Sequence, residues 1–228
     1  MDQKTRERHV LVVFPHPDDE TFGCGGTIAL FASAGVPVTY VCGTLGEMGR
    51  NMGDPPFATR ESLPRIRAAE LDEACAALGV VRLIKLGLRD KTIEFEDQAA
   101  LDGRIEQIIR EIRPSLMITH YPGYAVHPDH NALGAAAIRA VARLATEERP
   151  VVYAHGFSQD VIGAPDIVLD ISAVREAKMA AVRAHRSQSQ LTLAGMERSA
   201  GSDPALDARI RSFLEREVFW TYPMSMPR

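Results

Sequence analysis

The sequence predicts an α/β fold: a Rossmann-like, doubly wound, mostly parallel sheet with helices on both faces, in a single domain spanning residues 1–228. Three observations carry this. His9–Phe14 is a nearly continuous apolar run, the signature of a strand buried on both faces. Strand-like and helix-like stretches then alternate through most of the chain. No repeat, low-complexity tract or linker divides it, and 228 residues suit one sizeable core.

After the first strand, Glu20–Ala34 reads as a helix stopped by Gly35, with Pro37 beyond it. Val38–Cys42 is a second strand. Residues 43–59, rich in Gly, Pro, Asn and Met, form a long connection of the kind that is often functional. Arg60–Leu78 is an amphipathic helix ending at Gly79, and Leu83–Leu86 is a third strand. Gln98–Ile112 is a helix stopped by Pro114, followed by a strand at Leu116–Thr119 and an Ala-rich helix at Asp129–Leu144. Strands are expected at Val151–Ala154 and Ile167–Asp170, and helices at Ala173–His185 and Pro204–Glu217. With strand order 3-2-1-4-5, the first and fourth strands are neighbours at the point where the order reverses. That is where open α/β sheets bind ligands, outside the strands' carboxyl ends.

Composition excludes several functions. A net charge of −4 without any Lys/Arg run argues against a nucleic-acid surface. No apolar run is long enough to span a membrane, and charged Met1–His9 lacks the apolar core of a signal peptide. Cys24, Cys42 and Cys75 are scattered and read as small buried hydrophobes in a reducing cytoplasm. The first strand runs into Pro15-His16-Pro17-Asp18-Asp19-Glu20, and Gly23, Gly25 and Gly26 come too late for a dinucleotide phosphate turn.

Two motifs stand at the predicted switch point: Pro15–Glu20 after the first strand and His127-Pro128-Asp129-His130 after the fourth. His16 and Asp19 lie three apart across a turn that opens a helix, so both can aim at one point. Pro17 and Pro128 bias His16 and His127 toward extended backbone. Two histidines and one carboxylate leave an open coordination position, as in a catalytic zinc site. Asp18, His127 and Asp129 remain for proton transfer. Asp18 can serve as general base, and His127 can steady an oxyanion or protonate a leaving nitrogen. Asp129 can orient His127 and favour its charged form. One carboxylate doing both acid and base work fits equally well. The plainer alternative is that these acidic residues only cap helices.

At these motifs the chain resembles the LmbE-like, PIG-L superfamily of zinc-dependent N-deacetylases, which act on molecules bearing N-acetylglucosamine. The resemblance implies His16, Asp19 and His130 as ligands of one Zn2+ ion, with other divalent ions acceptable to such a donor set. It implies Asp18 as base and His127, oriented by Asp129, at the oxyanion. Gly43–Gly53 and Ala184-His185-Arg186-Ser187-Gln188 are similar to the bacillithiol-biosynthesis branch, whose substrate is N-acetylglucosaminyl malate. The expected partner is therefore a small N-acetylated amino sugar, and the family implies a homo-oligomer. Another N-acyl amino sugar or thiol conjugate, or a zinc-binding module without catalysis, are the rival readings.

Four residues are candidates for holding substrate. Arg50 suits an anionic aglycone such as malate. Glu47 could meet sugar hydroxyls or pair with Arg50. Tyr124, with Tyr121, lies on the loop leading to His127, and His185 ends a late helix within topological reach of the site.

Overall fold

The computed structural model describes residues 7–157, 159–199 and 203–224, so the first six residues of the charged N-terminal segment lie outside it. Five parallel strands form its centre: β1 (Val10–Phe14), β2 (Val38–Cys42), β3 (Arg82–Lys85), β4 (Leu116–His120) and β5 (Val151–His155). Their order is 3-2-1-4-5, as the sequence predicts. The sheet then continues beyond expectation. β7 (Arg216–Thr221) pairs antiparallel with both β5 and β6 (Ile167–Asp170), giving the full order 3-2-1-4-5-7-6.

Alternation along β1 divides the core. Val10, Val12 and Phe14 pack on one face against α1 (Asp19–Ser33), α2 (Leu63–Leu78) and α6 (Arg175–Ala184). Leu11 and Val13 pack on the other against α3 (Gln98–Ile112) and α4 (Pro128–Ala142). All five β1 residues are fully buried, as the unbroken apolar run requires.

Two late elements differ from expectation. The helix expected over Pro204–Glu217 ends at Glu215 as α8, because Val218-Phe219-Trp220-Thr221 is a β-branched and aromatic run that completes the sheet. Residues after His185 form a further helix, α7 (Arg186–Ser199), and a four-residue α5 (Gln159–Ile162) follows β5. Among the described residues, no helix is long and apolar enough to cross a membrane.

The α1 helix is kinked at Cys24 (φ −154°, ψ 24°). The Glu217 carboxylate caps its second half, accepting from Gly26 N (2.8 Å), Thr27 N (2.7 Å) and Thr27 Oγ1 (2.6 Å). Lys178 Nζ neutralises that carboxylate at 2.7 Å within the core. The second half of α1, beyond the turn that carries the first motif, is thus anchored by β7.

Candidate metal centre and cleft

The two motifs meet at the carboxyl ends of β1 and β4, which are hydrogen-bonded neighbours. Tyr40 Oη and Thr44 Oγ1 donate to the His16 and Pro15 carbonyls and fix the first turn. On the other side, His127 is the N-cap of α4 with Pro128 in its first turn. Asn131 ties the preceding loop through Gly123 N, Ala125 N and the Ala125 carbonyl.

His16, Asp19 and His130 converge. His16 Nδ1 lies 3.2 Å from His130 Nε2 and 3.3 Å from Asp19 Oδ2, and His130 Nε2 lies 3.1 Å from Asp19 Oδ1. A tetrahedral zinc ion with bonds of about 2.0–2.1 Å spaces its ligands about 3.3–3.4 Å apart. The donors therefore suit such an ion in chemistry, and their spacings, taken to the two Asp19 oxygens, are close to those it needs. Its electrostatics also suit a cation. Burial works against charge on His16, yet hydrogen bonds with Asp129, Asp19 and Asp90 push its pKa up to about 12. Asp19 is buried too, but the imidazoles of His130, His120 and His16 hold its carboxyl well below the usual range.

The far side of the His16 ring is clamped. Nε2 lies 3.1 Å from Asp129 Oδ2 and 3.2 Å from Asp90 Oδ1. Asp129 in turn accepts from Lys91 N (2.7 Å) and Ile93 N (3.1 Å), and Asp90 Oδ2 accepts from Met48 N (2.8 Å). A proton held on Nε2 leaves Nδ1 free as a ligand, the arrangement that carboxylates give metal-binding histidines. This corrects the expectation that Asp129 orients His127. Their closest approach, His127 Nδ1 to Asp129 Oδ2, is 3.9 Å, and His127 Nδ1 instead accepts the Asp129 backbone N–H at 3.2 Å. Burial and the neighbouring charge of His16 lower the His127 pKa, so its charged form is disfavoured. The neutral ring, with Nδ1 accepting, carries its proton on Nε2.

Asp18 is not a helix cap. It sits at the N-cap of α1 in the left-handed region (φ +100°) and makes no side-chain capping bond. Such backbone costs a non-glycine residue about 1–3 kcal/mol and is held by its surroundings. Arg67, only 4% exposed, donates to Asp18 Oδ2 (3.1 Å), the Gly46 carbonyl (3.0 Å) and the Pro17 carbonyl. Burial, opposed by Arg67, raises the Asp18 pKa to about 6.

A cleft of about 400 Å³ opens over this cluster, within the range of ligand pockets. Asp18, Asp19 and Asp90 make its floor acidic, whereas Arg50 and Lys91 supply exposed positive charge to its walls. Among the described residues, neither of those two side chains has a hydrogen-bond or ion-pair partner. A larger hollow, about 790 Å³, lies at the opposite ends of the strands beside Arg8, Ser115 and Val151, away from every motif residue.

Comparison with known proteins agrees with this architecture. The family model described as "PIG-L: GlcNAc-PI de-N-acetylase" matches residues 11–141. The chain belongs to this family. It is 52% identical over 219 residues to a probable N-acetyl-alpha-D-glucosaminyl L-malate deacetylase 2 of Bacillus cereus, covering 95% of this chain and 98% of that protein. A Bacillus subtilis protein of the same name is 48% identical over the same shares. Among solved structures, the N,N'-diacetylchitobiose deacetylase of Pyrococcus horikoshii, in complex with its inhibitor MPG, is similar with a TM-score of 0.72. It is 26% identical, with 96% of this chain and 85% of that chain covered.

Within this PIG-L chain, three of the four expected substrate residues stand elsewhere than in the cleft. Glu47 Oε2 accepts from Asp90 N at 3.2 Å, bracing the loop under His16 instead of facing Arg50. Tyr124 packs edge-on against Tyr121, with ring centroids 5.1 Å apart, and does not line the cleft. His185 is fully buried, and its Nε2 meets Glu20 Oε1 at 2.6 Å. Arg50 alone of the four lines the cleft, joined by Gln188 of the Ala184–Gln188 segment and by Arg67, Asp90 and Lys91, which sequence reasoning missed. His120 was missed as well. It stacks on His130 (centroids 4.0 Å apart), and burial keeps its pKa low, so a neutral ring backs the donor triangle.

Proposed function

We propose that this protein is a zinc-dependent N-deacetylase that removes the acetyl group from N-acetylglucosaminyl malate. The observation that carries the reading is the His16, Asp19 and His130 donor triangle, with the Asp18 carboxylate beside it at the floor of an open cleft. The high identity to Bacillus proteins of that name, over nearly their whole length, supports the substrate.

His16, Asp19 and His130 would hold the zinc ion, which would supply Lewis acidity toward the acetyl carbonyl and toward water, whose pKa such ions lower to roughly 7. Asp18, ionised above its pKa of about 6, takes a proton from the attacking water. His127, neutral and with Nε2–H to donate, steadies the oxyanion of the tetrahedral intermediate. The proton on Asp18 then passes to the leaving nitrogen as the C–N bond breaks, releasing acetate and the free amine. Asp18 thereby acts as both base and acid, and His127 serves as a hydrogen-bond donor. Asp129 and Asp90 orient His16.

Arg50 and Lys91 supply the positive charge that a malate aglycone calls for. The three free, buried cysteines fit a reducing cytoplasm, which is the compartment we propose. Acetate release from N-acetylglucosaminyl malate, measured beside free N-acetylglucosamine, tests the substrate. The malate conjugate is expected to turn over faster, and equally slow release from both would overturn that assignment. Metal analysis of the active protein tests the ion.

A further inference from the structure

We infer that His185 is a positioning residue for the general base, acting through Glu20. The inference rests on the reading of Asp18 as base. Both His185 and Glu20 are fully buried, and neither touches the cleft. Glu20 is a hub whose two carboxylate oxygens take different partners. Oε1 accepts from His185 Nε2 (2.6 Å) and Thr21 Oγ1 (2.6 Å). Oε2 accepts from the backbone N–H of Asp18 (3.0 Å), the residue held at φ +100°.

The left-handed turn of Asp18 therefore has two restraints. Arg67 holds its carboxylate and the carbonyl before it, and Glu20 holds its amide. Asp18 can keep its carboxylate beside the donor triangle only while both act. Thr21 and Asp18 lie on the same turn as Glu20, so Glu20 also needs a partner from outside that turn to fix its orientation, because a buried carboxylate short of a donor turns or takes up a proton. His185 is that partner, and its own position is set by the α6–α7 junction. Ser187 bonds Glu70 through N (2.7 Å) and Oγ (2.6 Å), and Ser189 N donates to the His185 carbonyl (2.8 Å). The same junction presents Gln188 to the cleft and to Asn51 of the long 43–59 connection. The Ala184–Gln188 segment thus serves the base from below and the cleft wall from above.

The test is a double-mutant cycle on metal-loaded protein, with zinc content, kcat and KM measured for each form. His185→Ala should lower kcat about 10- to 100-fold with KM and zinc content unchanged, and His185→Gln, whose amide nitrogen replaces Nε2, should recover most of that loss. In an Asp18→Asn background the His185→Ala effect on kcat should vanish, because it acts only through Asp18. Undiminished kcat in His185→Ala overturns the proposal, as does an equal penalty in both backgrounds. Truncations obtained only unfolded or zinc-free also overturn it, since the pair then belongs to folding. If Asp18→Asn itself keeps full turnover, the base assignment fails instead, so the two failures are distinguishable.

Discussion

Asp129 Oδ2 stands 3.1 Å from His16 Nε2 and 3.9 Å from His127 Nδ1, so its carboxylate is set against the His16 ring and not against the His127 ring. The distinction divides the second motif. His130 joins the donor triangle, His127 faces the cleft, and Asp129 lies beneath both, fully buried, with Lys91 N and Ile93 N completing its hydrogen bonds.

Asp129→Asn should therefore weaken metal binding. Loss of a carboxylate behind a ligating histidine costs about 10–100-fold in affinity. Competition with a chelator of known affinity measures it. An unchanged metal affinity accompanied by a loss in kcat would return Asp129 to His127.

Asp18→Asn should keep stoichiometric metal and lose about 10²–10⁴ in kcat, the usual reach of a positioned base. The pH dependence follows from its raised pKa. Without metal the carboxyl takes up a proton below about pH 6 and can no longer accept one, so kcat/KM should rise with pH along an acid limb at or below that value. A cation bound nearby favours the ionised form, so it shifts this acid limb to lower pH and never to higher. A limb that persists unmoved in Asp18→Asn belongs to another group.

Much of the candidate centre was legible because its histidines and carboxylates sit on short motifs at strand ends. Pro15–Glu20 directly, and His127–His130 across a short loop, follow apolar runs that suit buried strands, and the order 3-2-1-4-5 makes those strands neighbours. Asp90, Lys91 and Arg67 were not legible. They lie on a loop after β3 and in the second turn of α2, and only the packing of those elements brings them to His16 and Asp18. Proximity in sequence misled in one place. His127 and Asp129 are two apart, but the helix begins between them at Pro128, turning the Asp129 carboxylate down to His16. At the C-terminus, the helical spacing of Pro204–Glu215 masked the change to a strand. Val218 to Thr221 has the residue types of a strand, and the decisive factor is a place in the sheet between β5 and β6.

Arg50 and Lys91 make a prediction about affinity. Each is exposed and unpaired at the cleft, so a charge-assisted bond to a carboxylate is partly screened and worth about tenfold. Arg50→Ala and Lys91→Ala should each raise KM for the malate conjugate by about that factor, leaving kcat little changed. Neither should alter KM for a neutral methyl glycoside of N-acetylglucosamine, and the difference should shrink in high salt. A KM change equal for both substrates would show that these residues shape the cleft without reading the aglycone.

The buried Lys178–Glu217 pair makes a prediction about stability in which the two partners are unequal. Glu217→Ala strips Gly26 N, Thr27 N and Thr27 Oγ1 of their acceptor and leaves the Lys178 ammonium without its counter-charge in the core. Removing one member of a buried pair costs about 3–5 kcal/mol. Lys178→Met is milder. Glu217 keeps its three donors from α1, and the methionine can lie against Phe213, over whose ring the ammonium now sits at 3.9 Å. Its cost should approach that of one charge-assisted hydrogen bond, about 1.5–3 kcal/mol. Urea unfolding of the two variants gives the order directly. If Lys178→Met were the more damaging, the ion pair and not the cap on the kinked helix would be what Glu217 contributes, and β7 would not anchor the helix that carries Asp19.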